Sequence, residues 1–133
     1  MINALIIDNS EKIKPVSFST VANIALYTDD VGALNAVEKK QPSVVLLNYV
    51  VRNDETAEYI KLILKASTES KIVVVAEALS QEKILNCLTA GAKGYQEIKQ
   101  LDFYADKIIK VMDAGEAWIT RCMVAVLLDT LRR

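Results

Sequence analysis

A chain of 133 residues that is 52% hydrophobic and holds only 4 Gly and 2 Pro suits one compact domain with a sizeable core, and no second domain is expected. Its 16 basic and 17 acidic residues nearly cancel, which excludes the electrostatic footprint of a protein that grips nucleic acid through phosphates. With no histidine anywhere, the commonest general base, His-assisted nucleophiles and most zinc sites are excluded as well.

The N-terminal run from Met1 to Ile7 shows no basic leader and no signal-cleavage pattern. No apolar run approaches the roughly 18 residues of a membrane span. A cytoplasmic protein with no membrane association is therefore expected. Ala4 to Ile7, Val44 to Leu47 and Ile72 to Val75 are apolar runs rich in Val and Ile and bounded by polar or turn residues, which reads as strands buried on both faces. Ile24 to Tyr27 makes a weaker strand. A first helix would have to lie between Ser10 and Val21, but this stretch is short, contains Pro15 and carries β-branched and hydroxyl residues that disfavour helix.

Val31, Leu34 and Val37 mark a helix started by Asp29-Asp30 and followed by Lys39-Lys40 and Pro42. Ile60, Ile63 and Leu64 mark another. Ile84, Leu85 and Leu88 mark a third, with Ser80 as its N-cap and Gly91 as its C-terminal stop. After the turn residues Gly91-Ala92-Lys93, Gly94-Tyr95-Gln96 can form a short fifth strand. Leu101, Ala105, Ile108, Ile109 and Met112 then share one face at a 3.6-residue period before Gly115 stops that helix. Thr120 to Arg133, apolar along Met123, Val124, Val126, Leu127, Leu128 and Leu131, reads as an extra helix with a broad apolar face. Cys87 and Cys122 fall in helical segments outside any metal or redox motif and are expected to be small buried thiols.

Strands alternating with helices call for an α/β fold of three layers, a parallel sheet covered on both faces by right-handed crossovers. Within this pattern, Ile6-Ile7-Asp8-Asn9, Pro42-Ser43-Val44-Val45-Leu46-Leu47-Asn48 and Gly91-Ala92-Lys93-Gly94-Tyr95 resemble, in order and spacing, the three landmarks of response-regulator receiver domains. The resemblance covers residues 3 to 114. It is similar in particular to receivers joined to LuxR-type helix-turn-helix output domains, and Gly115-Glu116-Ala117-Trp118-Ile119 resembles the segment after the last receiver helix there. The resemblance implies a flavodoxin-like, doubly wound sheet of five strands in the order 2-1-3-4-5, with its site at the carboxyl edge. It also implies a receiver-like domain over residues 1–119 and a C-terminal helix over 120–133 that leads towards an output domain outside this chain.

A working receiver would place an Asp carboxylate as phosphoryl acceptor at the end of its third strand, where this chain has Asn48, a neutral amide and a poor nucleophile. It would hold Mg²⁺ on an acidic pair after the first strand, where this chain has Asp8 and Asn9, one carboxylate instead of two. The hydroxyl residue of the fourth strand maps onto Ala76, and the lysine of the fifth maps onto Ile98, with Lys99 next door and able to reach inward only through a local bulge. Tyr95 matches the switching aromatic of the family, as a fixed, partly buried ring or as a residual two-state element. For Asp8 the simpler role is to cap the following turn, and for Asn48 to satisfy buried strand-end groups.

These departures favour a regulatory module of signal transduction and transcription control that acts by dimerisation or protein contact without Asp phosphorylation. A homodimer is expected, through the face of the fourth helix, fifth strand and fifth helix or through the apolar terminal helix, which could equally fold back on its own domain. DNA would be contacted only through the output domain. A small-molecule ligand at the carboxyl edge, helped by Val50 and Val51, is the second reading. No cofactor and no metal is expected, and the absence of a Gly-rich phosphate loop or an activated nucleophile argues against an enzyme.

Overall fold

The computed structural model describes residues 1–132. Arg133, expected at the end of the last helix, and the side chain of Cys122, expected as a buried thiol, lie outside the described residues. Five parallel strands, β1 (Ile2–Ile7), β2 (Ala22–Tyr27), β3 (Val44–Asn48), β4 (Lys71–Ala76) and β5 (Gly94–Glu97), form one sheet in the order β2-β1-β3-β4-β5. The helices are α1 (Asp30–Lys40), α2 (Thr56–Ala66), α3 (Gln81–Ala90), α4 (Leu101–Asp113) and α5 (Arg121–Arg132).

Alternation along each strand sends side chains to two cores. Leu5, Ile7, Val45, Leu47 and Val74 meet Ala33 and Val37 of α1, Tyr59, Ile60 and Ile63 of α2, and Cys87 of α3. On the other face, Ala4, Ile6, Val44, Leu46, Val73 and Val75 meet Leu101, Ala105, Ile108, Ile109 and Met112, all five of the positions expected on the buried stripe of α4. Each large aliphatic side chain so buried contributes about 1.5–3 kcal/mol of transfer free energy, which is why an almost uninterrupted Val/Ile/Leu run settles in the middle of the sheet. The buried side of α1 differs in detail from the expected one, since Ala33, Ala36 and Val37 line the core while Val31 is 67% exposed.

The helix ends follow their local chemistry. Asp29 accepts from the Gly32 N–H at 2.7 Å and Ser80 from that of Lys83 at 3.3 Å, each satisfying one orphan donor. Gly91 takes φ +123° after α3, where a Cβ would sit 2.3 Å from Leu64 Cδ1. No residue but glycine suits that position.

Between β1 and β2 the structure corrects the expected first helix: there is only a short 3₁₀ turn, Pro15–Phe18. Proline supplies no N–H to a longer helix; Ser19 Oγ bonds locally to the Val16 carbonyl at 2.9 Å, while Ser17 and Thr20 donate to Asp102 at 2.8 Å and Asp106 at 3.2 Å of α4, which pins the turn down. Fully buried Phe18 and Ile13 cover that part of the sheet instead.

The opposite edge carries an addition that the strand pattern does not announce. Past α4, Trp118 lies parallel to β5, its N–H donating to the Lys93 carbonyl at 2.9 Å and its carbonyl accepting from Tyr95 N–H at 3.0 Å. Gly94 permits this approach, because a Cβ there would come within 3.0 Å of Trp118 Cβ and 3.1 Å of its carbonyl oxygen. The chain then turns at Thr120 into α5, which folds back against α3. Met123, Val126 and Leu127 are half-buried, whereas Val124, Leu128 and Leu131 remain exposed.

Candidate functional site

Parallel strands bring their carboxyl ends to one edge, and the strand order sets Asp8 beside Asn48, with Ala76 one strand further on. Asp8 follows the last residue of β1 and is 2% exposed, and Asn48 ends β3 with no exposure. Burying a carboxylate is costly unless donors surround it. Here they do: Asp8 Oδ1 accepts from the Ser10 N–H at 3.0 Å, the Ser10 hydroxyl at 2.7 Å and Asn48 Nδ2 at 2.9 Å, and Oδ2 accepts from the Ile13 N–H at 3.1 Å. Burial by itself would push this carboxyl up, but the bonds from Ser10, Ile13 and Asn48 outweigh it and hold Asp8 below its ordinary 3.8. The group is a charged carboxylate at neutral pH.

The Asn48 amide is equally committed. Its Nδ2 also donates to Ser10 Oγ at 3.1 Å, and its Oδ1 accepts from the Val50 N–H at 3.1 Å, capping the 3₁₀ turn Tyr49–Val51. Asp8, Ser10 and Asn48 thus close on one another where a strand-end nucleophile would stand, and the only side-chain nitrogen of the three donates to the only carboxylate. A neutral amide lacks the charge that makes a carboxylate oxygen a nucleophile, and its nitrogen is engaged as a donor.

The remaining predicted positions do not converge on this centre. Asn9 is exposed in the bend after β1, and Ala76 is 3% exposed and offers a methyl group. Ile98, in the 3₁₀ turn after β5, packs against the α4-side core, and Lys99 in the same turn stays exposed, so no bulge carries its ammonium inward. Mg²⁺ is a hard cation that needs several free oxygens, and the one carboxylate available already accepts four bonds. The donor set does not fit Mg²⁺.

Tyr95 is half-buried and its ring packs on the core under α1, α2 and α3. Its hydroxyl is shut off from water and makes no well-formed hydrogen bond, lying only near the backbone of Leu79. Burial foremost, with Glu97 adding to it, pushes that phenol up.

Residues the sequence reading did not single out complete the edge. Ser10 is the hinge of the triad; a hydroxyl two residues after a strand-end Asp is the local signal that would have marked it, as such pairs close Asx-type turns. Lys12 forms an exposed ion pair with Glu77, joining the loops after β1 and β4 across the face of the site. Arg52 binds Asp30 at 2.7 Å, sits 5.4 Å from the centroid of the Tyr59 ring and ties the loop after β3 to the start of α1. Neither pair has a spacing in sequence that announces it.

No protein-family model matches the chain, and no curated protein matches it in sequence. Solved structures do match in fold. A two-component response regulator of the LuxR family from Aurantimonas sp. SI85-9A1 superposes with a TM-score of 0.78 at 12% identity, covering 98% of each chain. A response regulator from Thermotoga maritima gives 0.76 at 16% identity, covering 86% of this chain and 98% of that one. The RcsB response regulator of Salmonella typhimurium gives 0.77 at 15% identity, covering 96% of this chain and 69% of that one. The chain has the flavodoxin-like receiver fold of response regulators, with an added C-terminal helix.

Proposed function

We propose that this chain is a receiver-like signalling domain that works without aspartyl phosphorylation, as a module of transcription control acting through homodimerisation or contact with another protein. The observation that carries this reading is Asn48, fully buried at the end of β3 and bonded through its amide to Asp8 and Ser10. Ala76 and Ile98 support it, since the positions that would grasp and neutralise a phosphoryl group present carbon only. The unit comprises residues 1–119, and the helix from residue 120 leads towards an output domain that makes any DNA contact. Within the cell such a module is cytoplasmic, in keeping with the finding that no helix among the described residues is long and apolar enough to cross a membrane.

A ligand at the centre of the carboxyl edge is the weaker reading, because Asp8, Ser10 and Asn48 already satisfy one another. Light scattering of the chain over a range of concentrations, with and without a small-molecule phosphoryl donor and Mg²⁺, tests the dimer. A donor-independent dimer is expected. A chain that is monomeric alone and dimerises only with the donor would overturn the proposal.

A further inference from the structure

At the far edge of the sheet, away from the Asp8–Asn48 centre, the bridge between Trp118 and β5 ends abruptly. Thr120 accepts the Met123 N–H on its hydroxyl and the Val124 N–H on its carbonyl, so it caps α5 and its carbonyl is taken up by the helix and not by the ladder. The divergence opens a cavity of about 400 Å³ between the end of β5, the first turns of α4 and residues 117–120. This lies within the range of about 300–1,000 Å³ that small-molecule sites occupy.

Two aromatic rings wall it. Trp118 and Tyr104 stand edge to face with centroids 5.7 Å apart and planes at 60°, forming a corner. The indole is fixed by its own hydrogen bond, Nε1 to Gln96 Oε1 at 3.0 Å, and the exposed Phe103 ring meets Tyr104 edge-on at 4.8 Å. The one charged side chain lining the cavity is Glu97. Among the described residues Glu97 makes no ion pair, although Lys99 and Arg121 are close to it or to Thr120 along the chain. Aromatic faces and a carboxylate both attract positive charge, the first through the ring quadrupole and the second directly.

The geometry points to a binding site for an organic cation, a methylated ammonium or a guanidinium, held in the Trp118–Tyr104 corner with its charge towards Glu97. The group could belong to a free small molecule or to a side chain of a partner; its chemistry is the same. Neither the Asp8–Asn48 centre nor dimer formation enters this inference.

Trp118 is the only tryptophan, so intrinsic fluorescence reports on the site directly. The full chain is titrated at constant ionic strength with tetramethylammonium, with N-acetylarginine amide and with the neutral analogue neopentyl alcohol. A saturable change with at least one cation, with Kd on the order of 1 mM, and none with the alcohol is expected. Saturation by tetramethylammonium favours a free small cation, and preference for the arginine derivative favours a partner side chain. Glu97→Gln and Tyr104→Leu, with folding checked by circular dichroism, should each weaken binding by about tenfold. Equal binding of the alcohol, undiminished binding by Glu97→Gln, or no saturable change with either cation up to about 100 mM overturns the assignment.

Discussion

Asn48→Asp would supply the missing carboxylate, and the geometry says what it does to the fold. The new oxygen replaces a nitrogen that sits 2.9 Å from Asp8 Oδ1 and 3.1 Å from Ser10 Oγ, in a position with no exposure. A hydrogen bond to a charged acceptor is lost, at about 1.5–3 kcal/mol. Two like charges whose centres are roughly 4 Å apart add about 4 kcal/mol at an effective dielectric constant of about 20. The pair can relieve this by keeping one proton, which at pH 7 itself costs about 4 kcal/mol against an ordinary carboxyl, so the relief is partial. A net loss of about 3–5 kcal/mol at pH 7 follows. Because the folded pair binds a proton that the unfolded chain releases, stability should return as pH falls, by about 1.4 kcal/mol per pH unit until the unfolded carboxyls also protonate. Urea unfolding at a series of pH values measures this. A variant within about 0.5 kcal/mol of the parent at pH 7, or one that does not recover with acid, would refute the closed triad.

The parent chain behaves in the opposite sense. Asp8 is held below 3.8 in the fold, so its contribution is fully present above that value and is lost as pH falls through the folded pKa; Asp8→Asn should cost about 2–3 kcal/mol at pH 7 and flatten the acid limb of urea midpoints. Tyr95→Phe removes a buried hydroxyl with no partner and should leave stability unchanged or raise it by up to about 1 kcal/mol in thermal unfolding, whereas a loss above about 1 kcal/mol would show that the hydroxyl is satisfied. Gly94→Ala places a methyl group against Trp118 and should cost about 1–3 kcal/mol and shift Trp118 emission to the red, an unshifted spectrum counting against the bridge.

The three central strands could be read directly because Val44 to Leu47 and its companions need burial on both faces, and only a covered parallel sheet provides it. The α4 stripe was equally plain from its period. The crossover after β1 was not, because alternation of elements argues for a helix there while Pro15 and its hydroxyl neighbours argue against one, and the local chemistry won. At the site, the identities of Asn48, Ala76 and Ile98 were visible as departures from the family pattern, but their partners were not. The bonds from Ser10 and Ile13 to Asp8 depend on how an irregular loop folds, and the strand-like docking of Trp118 depends on a contact with Gly94 that no periodicity encodes.

The central claim is that Asn48 ends phosphoryl chemistry in this fold. Intact-mass spectrometry of the chain after incubation with acetyl phosphate and Mg²⁺ tests it most directly. An unchanged mass is the predicted result, and addition of a single phosphoryl group that hydroxylamine removes, as it does an acyl phosphate, would contradict it.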